Sequence, residues 1–234
     1  MQTDEQHTHN NNKISGCIDS STEFNCWRTL FTLVNAINHV LVLLTTGYLV
    51  YLARDLSIST NLHVVLCTIG YVLLMSEAIV ALTGENLWSR KLSRRFNSHV
   101  HWVLQAIGAA CSITGVYVLW RGSFRSIHAL VGIASVGAII GIFITGLPAI
   151  FATRLRKVIR PVIGKFIHNF LGILCFVGGM YAQIEGYKKG WLRKKVSNDV
   201  IQVMIVTTFM IIVFSLMGSL RSLWEQFKGL FNCR

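Results

Sequence analysis

The sequence is short of charge, short of proline and without a paired-cysteine motif, and each shortage closes off a class of protein. Only 14% of its 234 residues are charged, against 53% hydrophobic, at a mean hydropathy of +0.53. A soluble domain carries roughly 25% charged residues, so the shortfall points into the membrane. Pro148 and Pro161 are the only prolines, which leaves long helices uninterrupted. Six cysteines are present, but none stands in a CxxC or CxxCH pattern, which argues against covalently attached haem. Three of them, Cys67, Cys111 and Cys175, lie in apolar runs, where cysteine acts as a small hydrophobe, and no disulfide framework is inferred. The net charge is +12, but the basic residues sit in short loops, where they set topology and meet anionic lipid. No nucleic-acid motif accompanies them, so no nucleic-acid partner is expected.

What remains is a polar stretch followed by six apolar runs. Residues 1–27 are polar and of low complexity, and are expected to be a disordered tail. The runs at 29–53, 62–83, 98–120, 127–150, 162–184 and 198–218 each suffice to cross a core of about 30 Å at about 1.5 Å per residue. Open strands cannot cross lipid, because their backbone groups go unsatisfied. The expected fold is therefore an all-α membrane protein of six transmembrane helices over 28–220, with a short tail at 221–234. Six spans put both termini on one side. That side carries 14 of the 22 Lys and Arg residues, so both termini are expected in the cytoplasm.

Histidine is costly inside a membrane and usually functional there. His63, His101, His128 and His168 fall in the first few residues of spans two, three, four and five. Spans two and four run the same way, so His63 and His128 share a depth near the outer face. Spans three and five run the opposite way, so His101 and His168 share a depth near the cytoplasmic face. Two imidazoles at equal depth on facing helices suit bis-histidine ligation of a b haem. The expected core is thus a four-helix unit, spans two to five, holding two non-covalent haems roughly 20 Å apart. One and two turns below the histidines lie Cys67 and Gly70, Gln105 and Gly108, Gly132 and Ser135, Gly172 and Cys175, mostly small residues that leave room for a macrocycle or for close helix packing. His99 competes with His101 but points to nearly the opposite helical face. His39, on a stripe with Asn35 and Asn38, is read as a hydrogen-bonded helix contact. Glu77 is read as bonding a polar partner or carrying a proton.

Several segments resemble the cytochrome b561 family, in particular the short b561-domain reductases of animals. They are Leu62-His63-Val64-Val65-Leu66, Met75-Ser76-Glu77-Ala78, His101-Trp102-Val103-Leu104-Gln105, Ile127-His128-Ala129-Leu130-Val131-Gly132 and Ile167-His168-Asn169-Phe170-Leu171-Gly172. One departure is Val64, where many relatives have proline. The resemblance selects His101 over His99. It implies two b haems, electron transfer from cytoplasmic ascorbate to monodehydroascorbate radical or ferric iron across the membrane (an ascorbate-dependent ferrireductase type), a homodimer, and an endoplasmic-reticulum or vesicle membrane. The alternatives are a haem-binding relay subunit with another donor and a haem-free proton-coupled transporter.

Ascorbate is an anion, so its site needs donors and positive charge near the inner pair. Arg94, Arg95 and His99 lie within two turns before His101, and Lys165 lies three residues before His168. These four are the candidate substrate residues. Arg54 and Arg125 are weaker candidates on the outer face.

Overall fold

A computed structural model describes residues 3–84, 86–120, 125–150 and 160–231. All regular elements among them are helices: α1 (Thr3–Ala53), α2 (Ile58–Cys67), a π-helical segment (Thr68–Met75), α3 (Ser76–Val80), a 3₁₀ turn (Ser89–Lys91), α4 (Arg94–Val118), α5 (Ile127–Ile150), α6 (Pro161–Tyr187), α7 (Gly190–Arg193) and α8 (Asn198–Phe231). Six stretches are long and apolar enough to cross a membrane: Trp27–Ala53, Ile58–Val80, Arg94–Val118, Ile127–Gly146, Pro161–Tyr187 and Asn198–Phe231. The second span joins α2, the π-helical segment and α3. These match the six expected runs, with boundaries shifted by a few residues except at the end of α8. The chain is an all-α, multi-pass membrane protein.

Local chemistry sets several helix ends. Ser93 caps α4 by accepting from the Phe96 amide at 3.2 Å, which fills one of the orphan donors of a helix start. Pro161 opens α6 behind an extended Arg160, the position where a missing N–H costs nothing. At the far end of α1, the Lys195 ammonium donates to the Leu52 carbonyl at 2.7 Å and Asn61 donates to the Ala53 carbonyl at 2.8 Å. Lys195 is one of five basic residues crowding the loop between α6 and α8, and Lys188 of the same group pairs with Glu185. Two of these charges thus have local structural partners.

The second span is the centre of the bundle. Of its apolar stretch 61% is buried, against 17–33% for the other five. α4 packs on one side of it, with α1 and α8 on another. α5 and α6 form a second close pair, and α6 also packs on α8. Polar cross-links pin the layers: Asn38 to Ser215 at 3.1 Å, Gln183 to Thr68 at 3.0 Å, and the Tyr187 and Thr208 hydroxyls at 3.0 Å.

In lipid, helices associate by close packing rather than by expulsion of water, which favours small residues at contacts. The seam between span two and α4 shows this. A Cβ on Gly70 would lie 2.2 Å from Ser112 Oγ and 2.7 Å from the Gly108 carbonyl, and one on Gly115 would lie 2.8 Å from Cys67 Sγ. Gly70→Ala should therefore lower stability by about 1–3 kcal/mol, the usual cost of overpacking. Gly47→Ala, where an added Cβ meets nothing within 4 Å, should be neutral or slightly stabilising. Thermal unfolding in detergent micelles checks both.

Candidate functional site

Each of the four histidines leans onto a neighbouring helix. His63 Nδ1 donates to the Gly115 carbonyl on α4, and His101 Nδ1 donates back to the Ala78 carbonyl on α3, both at 2.8 Å. His128 Nδ1 donates to the Ala182 carbonyl on α6, also at 2.8 Å. A carbonyl can only accept, so each bond fixes the proton on Nδ1 and leaves the lone pair on Nε2. A carbonyl on the ring nitrogen that does not bind is what orients a metal-binding histidine. His168 is the exception. It lies against Gly146 of α5, with Cε1 3.3 Å from the place of an added Cβ, and its buried Nδ1 has no partner. His128 meets Gly186 in the mirrored way, also at 3.3 Å, and bonds the carbonyl four residues before it. The equivalent carbonyl on α5, that of Ile142, already accepts from Thr145 Oγ1 at 3.2 Å.

The histidines meet in level pairs. The His63 and His128 rings lie 5.8 Å apart between centroids, at 88°. A metal about 2 Å from each imidazole nitrogen sets two such rings about 6 Å apart. His101 and His168 lie at the other end of the bundle, where α1 begins and α8 ends. The register of α5 and α6 shows how far apart the two levels are. Gly146 stands 18 residues beyond His128 on α5, and Gly186 stands 18 residues beyond His168 on α6, about 27 Å of helix on each.

The residues fit a haem at each pair. His63 with His128, and His101 with His168, each offer two imidazoles that would hold a haem iron. The helices that share a level, span two with α5 and α4 with α6, are not among the closely packed pairs. One turn below His128 and His168, a Cβ on Gly132 or Gly172 would meet nothing within 4 Å. The small residues therefore divide. Gly132 and Gly172 border open space, whereas Gly70 and Gly108 close the seam between span two and α4.

The other candidate residues separate by end. Arg94, Arg95 and His99 are exposed on the first turns of α4, and Lys165 is exposed on the first turn of α6, all at the end that holds His101 and His168. Among the described residues none of the four makes an ion pair. His99 is exposed where His101 is half-buried, as their spacing requires. Arg54 lies over the Tyr51 ring at 4.3 Å and beside Asp55 at 3.5 Å, which gives it a local role. Arg125 is exposed at the His63–His128 end.

One constellation was only half legible. His39 Nδ1 donates to Glu77 Oε1 at 2.6 Å and Nε2 donates to Asn86 Oδ1 at 3.0 Å, while Trp88 Nε1 donates to Glu77 Oε2 at 3.3 Å. With both ring nitrogens engaged, His39 is no metal ligand. The polar partner expected for Glu77 is the histidine treated as a separate helix contact.

Two level pairs of histidines inside a six-span bundle define a membrane protein suited to carrying redox groups. Residues 62–193, more than half the chain and including all four histidines, match the eukaryotic cytochrome b561 family, and the chain belongs to that haem-binding family. It is similar to the transmembrane reductase CYB561D2 of Bos taurus, 34% identical over 41% of this chain and 43% of the relative, and to that of Homo sapiens, 31% identical over 42% and 45%. It also resembles a probable ascorbate-specific transmembrane electron transporter 1 of Oryza sativa subsp. japonica, 26% identical over 56% and 57%. The matched stretch spans less than half the length of the CYB561D2 relatives. No solved structure matches.

Removing one member of the half-buried His39–Glu77 pair leaves the other without its partner, at a cost of about 1–3 kcal/mol. Glu77→Leu should therefore lower the unfolding temperature clearly, and His39→Leu combined with Glu77→Leu should recover much of the loss. A double change that destabilises as much as the sum of the singles contradicts the pairing.

Proposed function

We propose that the chain is a transmembrane di-haem b oxidoreductase, which moves single electrons from cytoplasmic ascorbate to monodehydroascorbate radical or ferric iron on the opposite side. The observation that carries this reading is the pair of level histidine couples at opposite ends of one bundle. His101 and His168 would hold the haem near the termini, and His63 and His128 would hold the other. When bound, each haem supplies a site that gains and loses one electron without moving atoms.

The chain's own residues do the rest. The carbonyls of Gly115, Ala78 and Ala182 keep three imidazoles in the tautomer that presents Nε2. The tight seams between span two and α4 and between α5 and α6 hold the level pairs at fixed separation, and their apolar packing keeps water from the path. At the termini end, the starts of α4 and α6 bring partial positive charge together with Arg94, Arg95, His99 and Lys165. Cations at a helix start oppose the dipole there, so their presence suits recruitment of an anion such as ascorbate. The excess of Lys and Arg at that end supports placing both termini in the cytoplasm. The names of the reductase and ascorbate-transporter relatives support the same reaction class. Residues 28–220 would form the working unit in an endoplasmic-reticulum or vesicle membrane, as a homodimer.

Proteoliposomes loaded with ascorbate, with ferric chelate outside, test the reading. His63→Ala or His128→Ala should halve the haem content, keep the spectrum of the remaining site and reduce transfer to the background leak. Normal transfer in either variant refutes the pairing, and a colourless wild-type protein favours proton transport through His39 and Glu77. Arg94→Gln with Arg95→Gln should raise the ascorbate KM several-fold with little change in kcat. It should also flatten the salt dependence of the rate, because screening at about 0.1 M acts over about 10 Å.

A further inference from the structure

Between the two histidine levels lies an aromatic side chain that the reading above does not use. Tyr71 belongs to the π-helical segment Thr68–Met75 in the middle of span two. Such segments add a residue to a turn, re-aim side chains, and recur at functional sites. The Tyr71 ring is 5% exposed and fills a notch on α6. A Cβ on Gly179 would fall 1.8 Å from its Cε1. Its hydroxyl faces Ser135 on α5 and Cys175 on α6, yet it is buried with no partner at hydrogen-bond geometry. Ser135 donates to the Val131 carbonyl instead, at 2.8 Å, and Cys175 to the Ser135 carbonyl at 3.7 Å.

The position is central. Ser135 stands two turns inward from His128, and Cys175 two turns inward from His168, about 10 Å of helix in each case. Tyr71 touches both helices from the span that carries His63 and the Ala78 carbonyl holding His101. It is thus a flat π-system wedged among elements that position all four histidines, in a region otherwise filled by aliphatic and sulfur side chains and Phe176.

We propose that Tyr71 is the bridge through which the electron crosses the centre of the bundle, a role that rests on the di-haem reading. Electronic coupling falls less steeply through packed, polarisable atoms than across poorly filled space, and a ring at mid-depth shortens the longest stretch. One electron leaves the termini-end site and one arrives at the far site. No bond forms or breaks, and the phenol keeps its proton, so no further oxidant or base is needed. The ring does the work rather than the hydroxyl. Tyr71 is a positioning residue for electron flow, and Gly179 gives it its seat.

The test uses full-length, haem-loaded protein in nanodiscs, reduced by a photoexcited flavin, and follows equilibration between the two sites. Paramagnetic-resonance spectra and midpoint potentials are recorded alongside. Tyr71→Leu should keep both haem signals and both potentials while slowing equilibration about tenfold or more. Tyr71→Phe should restore the rate. Gly179→Ala, which drives the ring from its notch without touching Tyr71, should slow equilibration even if the leucine variant misfolds. An unchanged rate in Tyr71→Leu or Gly179→Ala overturns the proposal, as does a Tyr71→Phe variant as slow as the leucine one. A wild-type preparation lacking one of the two haem signals sinks the di-haem reading itself, and this bridge with it.

Discussion

A backbone carbonyl on one helix accepting the Nδ1 proton of a histidine on the next is the contact on which the rest of this molecule depends. Helical carbonyls already accept within their own helix, so each has a second lone pair to offer. In lipid no water competes for it. The bond from His63 to Gly115, the bond from His101 to Ala78 and the bond from His128 to Ala182 each do two things. They dock helices in antiparallel pairs and they leave the Nε2 lone pair free. Gly115 can approach because it has no side chain to strike Cys67, so the same small residue serves packing and imidazole geometry.

From that contact follows a bundle of two tight pairs with a looser diagonal. Span two with α4, and α5 with α6, carry the close contacts. The histidines of one level come from helices in different pairs, and Gly132 and Gly172, one turn from His128 and His168, border open space. The asymmetry at His168 stands out in this scheme. Its Nδ1 is buried without a partner, and the Ile142 carbonyl in the corresponding place accepts from Thr145 Oγ1. The two levels are therefore alike in side-chain type and unlike in the support given to one imidazole.

Much of this was legible in the sequence, for definite reasons. Span number follows from hydropathy, because lipid demands a full turn-by-turn helix of fixed length. Histidine depth follows from counting residues from each span start, since direction alternates. His99 separates from His101 because two residues turn a helix by about 200°. Other features were hidden. Gly70 and Gly132 look alike in sequence, yet one closes a helix seam and the other borders space, a difference set by crossing geometry. His39 and Glu77 are 38 residues apart, and each was read singly although two lone ionisable groups inside a membrane have good reason to find each other. The carbonyl partners of the histidines belong to the backbone of Gly and Ala and leave no mark in residue type. Tyr71 passed as one more apolar residue, because only the π-helical turn and the Gly179 notch single it out.

The most direct measurement is the haem content of the purified wild-type protein, read with its oxidised and reduced absorption spectra. Two non-covalent b haems per chain, both six-coordinate and low-spin, with reduction by ascorbate, are the expected result. A colourless protein, or a single haem that survives loss of His101 and His168 together with loss of His63 and His128, contradicts the paired-histidine architecture.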